Sequence, residues 1–284
     1  MKYYDDHIVT NGFSDNSMNA IKYALQFFKY QKVDFYFMHA YKNEFYDHDD
    51  LTSRQVFTEV LERVKNESEN KLKNLIATVQ ELAPNPRYSY HTISANNTLV
   101  DEANAIVEDK NIDLIVMGTK GKSNKRTILF GSQTFQVLKY VQCPVLAIPT
   151  NYTNTQPKQI LFPTNYLIPY KRRELKLVSE LAKPYRSHIH VVHISKPYKL
   201  SIRQEDNQTF IKDELQENKT SYYTEDAKKV EEGIKKYIKE KNIDLLTMVN
   251  TQHSFLEDML FPTTLDEVSL ELEIPILALQ NTNR

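Results

Sequence analysis

Three of the chain's five glycines fall within fourteen residues, and their spacing is the first sign of chemistry in this sequence. The run Met117-Gly118-Thr-Lys-Gly121 is followed by Gly131-Ser132, giving the pattern G-x2-G-x9-G-S. Gly118 and Gly121 allow backbone N–H groups to come close to an anion and permit positive φ. Gly131-Ser132 opens an expected helix, Gln133 to Val141, whose free N–H groups and positive dipole end favour negative charge. The Ser132 and Thr134 hydroxyls add donors. The chemistry this describes is phosphate binding. Tight loop turns with a simple helix cap are the plainer alternative. The fragment Gly118 to Ser123 is not a P-loop, because two residues separate its glycines where that motif needs four.

Elements that position the motif follow from hydrophobic pattern. Asp113–Met117 before it and Val145–Ile148 after it are short apolar runs, expected as buried strands. Further strands are expected near Ile8 and Val9, over Val33–Ala40 and over Tyr88–Ile93. Ser14 is a suitable N-cap for a helix with Ala20, Ala24, Phe27 and Phe28 on its apolar face. Leu51–Leu82 carries Val56, Val60, Val64, Leu72, Leu75, Ile76 and Val79 at helical spacing, and Thr98–Glu108 supplies another helix.

The order then recurs. Asn111-Ile-Asp-Leu-Ile-Val-Met117 matches Asn242-Ile-Asp-Leu-Leu-Thr-Met248, and Cys143-Pro-Val-Leu-Ala-Ile148 matches Ile274-Pro-Ile-Leu-Ala-Leu279. Both pairs share an offset of 131, whereas aligning Phe13 with Tyr166 requires 153. The 22-residue difference places extra chain inside the first copy, in its long polar helix. Second-half strands are expected near Ile160–Pro163, His188–Ile194, Ser221–Tyr223, Ile243–Met248 and Ile276–Leu279. Asn151–Lys158, polar and containing Pro157, is the expected linker. The expectation is an α/β chain of two consecutive doubly wound domains, residues 1–150 and 154–284. Each is a five-stranded, mostly parallel sheet with helices on both faces. Such sheets bind ligands beyond the carboxyl ends of their strands, at a switch in strand order.

The glycine spacing after Asp-Leu-Ile-Val-Met, with Cys-Pro-Val-Leu-Ala-Ile beyond it, resembles the universal stress protein family. The likeness covers nearly the whole chain as two family domains. It also covers the first strand and helix start, Ile8–Ser17, and Phe162-Pro-Thr-Asn165 in the second half. The motif is that of the family's ATP-binding branch. Carried over by position, the resemblance puts phosphate and ribose contacts on Gly118, Gly121, Gly131, Ser132, Gln133 and Thr134. Base-side contacts fall on Thr10, Asn11, Gly12 and Ala40, with Met117 beside them. The implied ligand is ATP or a related adenine nucleotide, with or without Mg²⁺.

In one respect the chain departs from the pattern. ATP-binding members usually end strand one in an aspartate; here that place is Gly12, and Asn165 in the second half. A lost charged acceptor costs about 1.5–3 kcal/mol, ten- to a hundredfold in affinity. In the second half Gly118, Gly121, Gly131 and Ser132 become Val249, Gln252, Pro262 and Thr263, so no nucleotide is expected there. The resemblance further implies that Val145–Ile148 and Ile276–Leu279 pair edge to edge, the two halves mimicking a homodimer within one chain. A further homodimer and an unknown protein partner remain open.

Other groups yield blander readings. His188, His190 and His193 invite a metal, but no carboxylate or cysteine cluster accompanies them, and His193 repeats His39 near the end of strand two. His253 is expected to face solvent. Lys120, Lys122, Lys125 and Arg126 make a local basic run, taken as solvated. Acidic stretches at Glu59–Glu69 and Glu225–Glu232 are taken as solvated helix faces. Cys143, the single cysteine, permits no internal disulfide and fits a reducing compartment. Net charge is −1 and the pI about 6.7, with no global footprint for nucleic acid or an anionic membrane. The first residues lack a signal-peptide apolar run, and no stretch approaches the ~20 apolar residues of a membrane span. The expected location is cytoplasmic. No hydrolytic constellation stands out. The functions considered are a nucleotide-dependent regulatory module, a nucleotide-free interaction scaffold and a slow ATP hydrolase.

Overall fold

The computed structural model describes residues 6–10, 13–46, 54–119, 130–194, 199–227, 229–251 and 273–281. The chain divides into two compact units at Asn151/Tyr152. The first contains β1 (Asp6–Thr10), α1 (Asp15–Phe27), β2 (Val33–Ala40), α2 (Lys42–Tyr46), α3 (Arg54–Leu82), β3 (Tyr88–Ala95), α4 (Leu99–Lys110), β4 (Leu114–Gly118), α5 (Ser132–Tyr140) and β5 (Val145–Ile148). Its strands lie in the order β3-β2-β1-β4-β5 and every pair is parallel. The second contains β6 (Gln159–Thr164), α6 (Arg172–Ala182), a 3-10 turn (Lys183–Tyr185), β7 (His188–Ile194), α7 (Ile202–Glu214), β8 (Lys219–Glu225), α8 (Val230–Lys241), β9 (Leu245–Asn250) and β10 (Ile276–Gln280). Its order is β8-β7-β6-β9-β10, again all parallel.

Chain chemistry explains the sheets. Leu114–Met117, Val145–Ile148 and Leu245–Val249 are buried along their length, as strands covered on both faces must be. In each unit the order reverses beside the first strand, between β1 and β4 and between β6 and β9. Ligands of such folds gather at the strand carboxyl ends there.

The two units share irregular details as well as strand order. Phe13 and Tyr166, aligned in sequence, both adopt positive φ (49° and 57°). Each then packs its ring on the histidine near the end of the next strand, Phe13 on His39 and Tyr166 on His193. Asn111 and Asn242 both cap their helices in the left-handed conformation that asparagine tolerates. The extra length of the first copy lies between its second and third strands, where α2 and α3 stand in place of α7 alone. α2 was not expected. It packs Tyr41 and Phe45 on Val60 and Val64 of α3, a small satellite core of its own. Glu225, expected on a helical acidic face, instead ends β8 and pairs with Lys236 at 2.6 Å.

The connecting segment is anchored. Asp244 accepts from Asn154 Nδ2 (2.8 Å) and from the backbone N–H groups of Lys158 (2.7 Å) and Gln159 (2.9 Å). Burial pushes the neighbouring Tyr152 phenol up to about 12, helped by the Asp244 charge.

Candidate functional site

In the first unit the chain leaves β4 at Gly118 and re-enters at Gly131, and the two points are clasped. Thr119 N–H donates to the Ile148 carbonyl (2.9 Å), and Gly131 N–H donates to the Thr119 carbonyl (2.6 Å). Thr134 Oγ1 donates to the Gly118 carbonyl at 2.7 Å. These bonds set the start of α5 beside the carboxyl end of β4, next to the reversal in strand order. Gly131, at φ −65°, is the N-cap and brings no side-chain cap to the helix. As first-turn donors, the N–H groups of Ser132, Gln133 and Thr134 lie outside the hydrogen-bond ladder of α5 itself. Ser132 and Gln133 are exposed, while Thr134 is buried.

Two sequence readings change. The Thr134 hydroxyl is committed to Gly118, so this residue offers a ligand its backbone N–H and not its side chain. Gly118 has a packing reason to be glycine: a Cβ there would sit 2.8 Å from Asn16 Cγ and 3.0 Å from the Asn16 carbonyl oxygen of α1. The close approach is to a neighbouring helix. Met117 is buried, and Ala40 is half-buried at the end of β2. Thr10 ends β1. Asn11, Gly12 and Gly121 lie outside the described residues, as do the basic run at 120–126, His253, and the second-half positions Gln252, Pro262 and Thr263.

The carboxyl ends of β2 and β3 hold a network that sequence reasoning missed. His39 Nδ1 shares a hydrogen bond with Ser68 Oγ (2.9 Å), which bonds Ser94 Oγ (2.7 Å), and His39 Nε2 meets Glu44 Oε1 (3.1 Å). The chain of serine, histidine and carboxylate looks like a nucleophile with its base. However, Ser68 is only 1 % exposed, so it cannot meet a substrate. The network ties β2, β3, α2 and α3 together.

In the second unit the corresponding strand ends are filled. Thr164 and Tyr170 hydrogen-bond through their hydroxyls in the interior, and burial holds the Tyr170 phenol well above its ordinary range. Asn250 Nδ2 donates to Gln280 Oε1 (2.8 Å), and Asn281 Nδ2 donates to the Pro169 carbonyl (3.0 Å). Val249, standing where the first unit has Gly118, is buried. The helix after the first strand also begins later here: Asp15 comes two residues after Phe13, Arg172 six after Tyr166.

The histidines of β7 are structural. His190 is bonded at Nδ1 to Tyr237 Oη (2.9 Å) and at Nε2 to Gln159 Oε1 (2.7 Å), and His188 Nε2 to Ser221 Oγ (2.8 Å). Burial, then the neighbouring His188 and two lysines, lowers His190 to about 4. His193 Nδ1 donates to the Thr164 carbonyl at 2.9 Å. Among the described residues no group of three or more His, Cys, Asp or Glu could hold a metal, and no helix is long and apolar enough to cross a membrane.

Residues 7–149, half of the chain, match the model of the universal stress protein family. The chain belongs to this family. Two universal stress proteins of Methanocaldococcus jannaschii are similar to it: MJ0577, 26% identical over 51% of this chain and 94% of its own length, and MJ0531, 31% identical over 50% and 79%. A crystal structure of a universal stress protein from Archaeoglobus fulgidus shares the fold across both units. It is 16% identical, covers 99% of this chain and all of its own, and has a TM-score of 0.69. A putative universal stress protein from Pseudomonas aeruginosa aligns over 98% of this chain and 93% of its own, with 12% identity and a TM-score of 0.58. The expected architecture, α/β with parallel sheets flanked by helices, is therefore that of a universal stress protein.

Proposed function

We propose that the first unit binds ATP or a related adenine nucleotide, that the second does not, and that binding acts as a regulatory switch read by a partner protein. The observation that carries this reading is the clasp Thr119–Gly131. It presents the first turn of α5, without a side-chain cap, beside the strand-order reversal, with Ser132 and Gln133 exposed in the chain's only G-x2-G-x9-G-S motif. Phosphates would meet this turn and the base would lie toward Thr10 and Ala40. In the second unit Tyr170, Val249 and the Asn250–Gln280 pair take up the equivalent ground.

Calorimetric titration of ATP into the full chain tests it. Gly131→Pro suits the native φ of −65° yet deletes the N–H that donates to Thr119, and Ser132→Ala deletes a hydroxyl. Both are expected to weaken ATP at least fivefold, the worth of about one hydrogen bond. Undiminished binding in both removes the site. Gly12, in place of the usual acid, favours a second reading in which neither unit binds nucleotide and the protein is an interaction scaffold. Mass spectrometry of gently purified protein separates the two, since a co-purifying nucleotide excludes the scaffold. A Mg²⁺- or Mn²⁺-supported turnover assay tests slow hydrolysis.

A further inference from the structure

The base-side wall carries a cation. Phe13 sits at the carboxyl ends of β1 and β2, its ring 4.6 Å from that of His39 and half-buried. Above it stands Lys71 of α3, with Nζ 5.4 Å from the ring centroid. The His39–Ser68–Ser94 bonds fix this placement: Ser68 and Lys71 are three residues apart on one helix face, so anchoring Ser68 sets the rotation of α3 that aims Lys71. Lys71 is exposed, and among the described residues it makes no ion pair within 4 Å. The second unit treats the same place differently. There α7 faces the loop with amides, Gln204 donating to the Asn165 carbonyl (2.9 Å) and Asn207 to that of Tyr166 (2.7 Å). Tyr166 lies nearly flat on His193, at 25°.

We infer that Lys71 is a nucleoside contact of the first unit, donating to a ring nitrogen of the purine or an oxygen of the ribose while Phe13 packs against the same group. This inference rests on the nucleotide reading above. An ammonium offers donors and no acceptor, and purine ring nitrogens and ribose oxygens are acceptors. The phosphate-binding turn of α5 borders β4, whereas Lys71 stands over β1 and β2, so the two act on different parts of the ligand.

The test uses the full chain with ATP, adenosine and inorganic triphosphate as separate probes, followed by calorimetry or ligand-observed NMR. Lys71→Met should weaken ATP and adenosine alike, about five- to tenfold for one charge-assisted hydrogen bond, and leave triphosphate unchanged. Lys71→Arg should recover most of the loss. Gly131→Pro should show the opposite profile, weakening ATP and triphosphate and sparing adenosine. Lys71→Met that spares adenosine, or that weakens triphosphate, overturns the assignment. A wild-type chain that binds neither ATP nor adenosine overturns the nucleotide reading itself, and that failure is visible before any variant is made.

Discussion

At the strand-order reversal the two units reach opposite ends with one backbone plan. In the first, helix α1 presses close on β4, and Gly118 has no side chain because Asn16 occupies the space. In the second, the helix begins four residues later relative to the aligned aromatic residue, and Tyr170 and Val249 are buried. Glycine in one copy and valine in the other therefore go with different starts of the neighbouring helix. The aromatic–histidine pairs and left-handed asparagines occur in both copies as features of the shared backbone plan.

Exchanging these features tests the comparison. The largest effect is expected from Gly118→Val, which drives a branched side chain into Asn16. Chemical denaturation should show the first unit destabilised by about 2–3 kcal/mol. A loss under 1 kcal/mol would mean that α1 yields easily and that its closeness is not what keeps the glycine. Asp244→Ala probes the second unit and should cost about 2 kcal/mol, since three donors on the connecting segment lose a shared carboxylate.

His190 gives the second unit an acid sensitivity. Its folded-state pKa is lowered from 6.5 to about 4, so the stability it contributes is complete above pH 6.5 and is lost as pH falls toward 4. Over that window His190→Gln should flatten the pH dependence by about 2 kcal/mol. An unchanged slope would place the titration elsewhere. Smaller still, Asn111→Ala and Asn242→Ala should each cost about 1 kcal/mol, because both force a Cβ-bearing residue without a local polar partner into the left-handed region. Unequal costs would show that the two caps are no longer equivalent.

The finest probe is Glu174, a residue 2 % exposed whose Oε1 has no hydrogen-bond partner among the described residues. Burial raises its pKa, outweighing the bond from Lys171 N–H. The folded state then prefers the neutral acid, and stability falls as pH rises through the carboxylate range. Glu174→Gln should raise stability at pH 7 by about 0.5–1 kcal/mol and leave it unchanged at pH 3.

Sequence pattern reveals the sheets because fully covered parallel strands are unbroken apolar runs, as in Leu114–Met117 and Leu245–Val249. It also reveals Ser14 as a cap, whose Oγ accepts from Ser17 N–H at 3.2 Å, since capping is a local bond. What escapes depends on contacts between distant residues. Nothing near Gly118 in sequence announces Asn16, a hundred positions earlier, and the partner of Thr134's hydroxyl is a backbone carbonyl with no side-chain signature. The His39–Ser68–Ser94 network joins three elements and leaves no spacing to recognise. α2 is a single short turn, stabilised by Tyr41 and Phe45 on α3 and not by its own propensity.

Cys143 is the chain's only thiol, and it lies 1 % exposed in the first unit, its Sγ 3.5 Å from the Ile112 carbonyl. Thiol reagents should therefore react slowly with the folded protein, and modification of Cys143 should report an opening of that unit. Alkylation rates taken with and without nucleotide would turn this residue into an internal clock for the half that is proposed to bind. A cysteine introduced at an exposed surface position would react alone, giving a clean attachment point for a fluorophore.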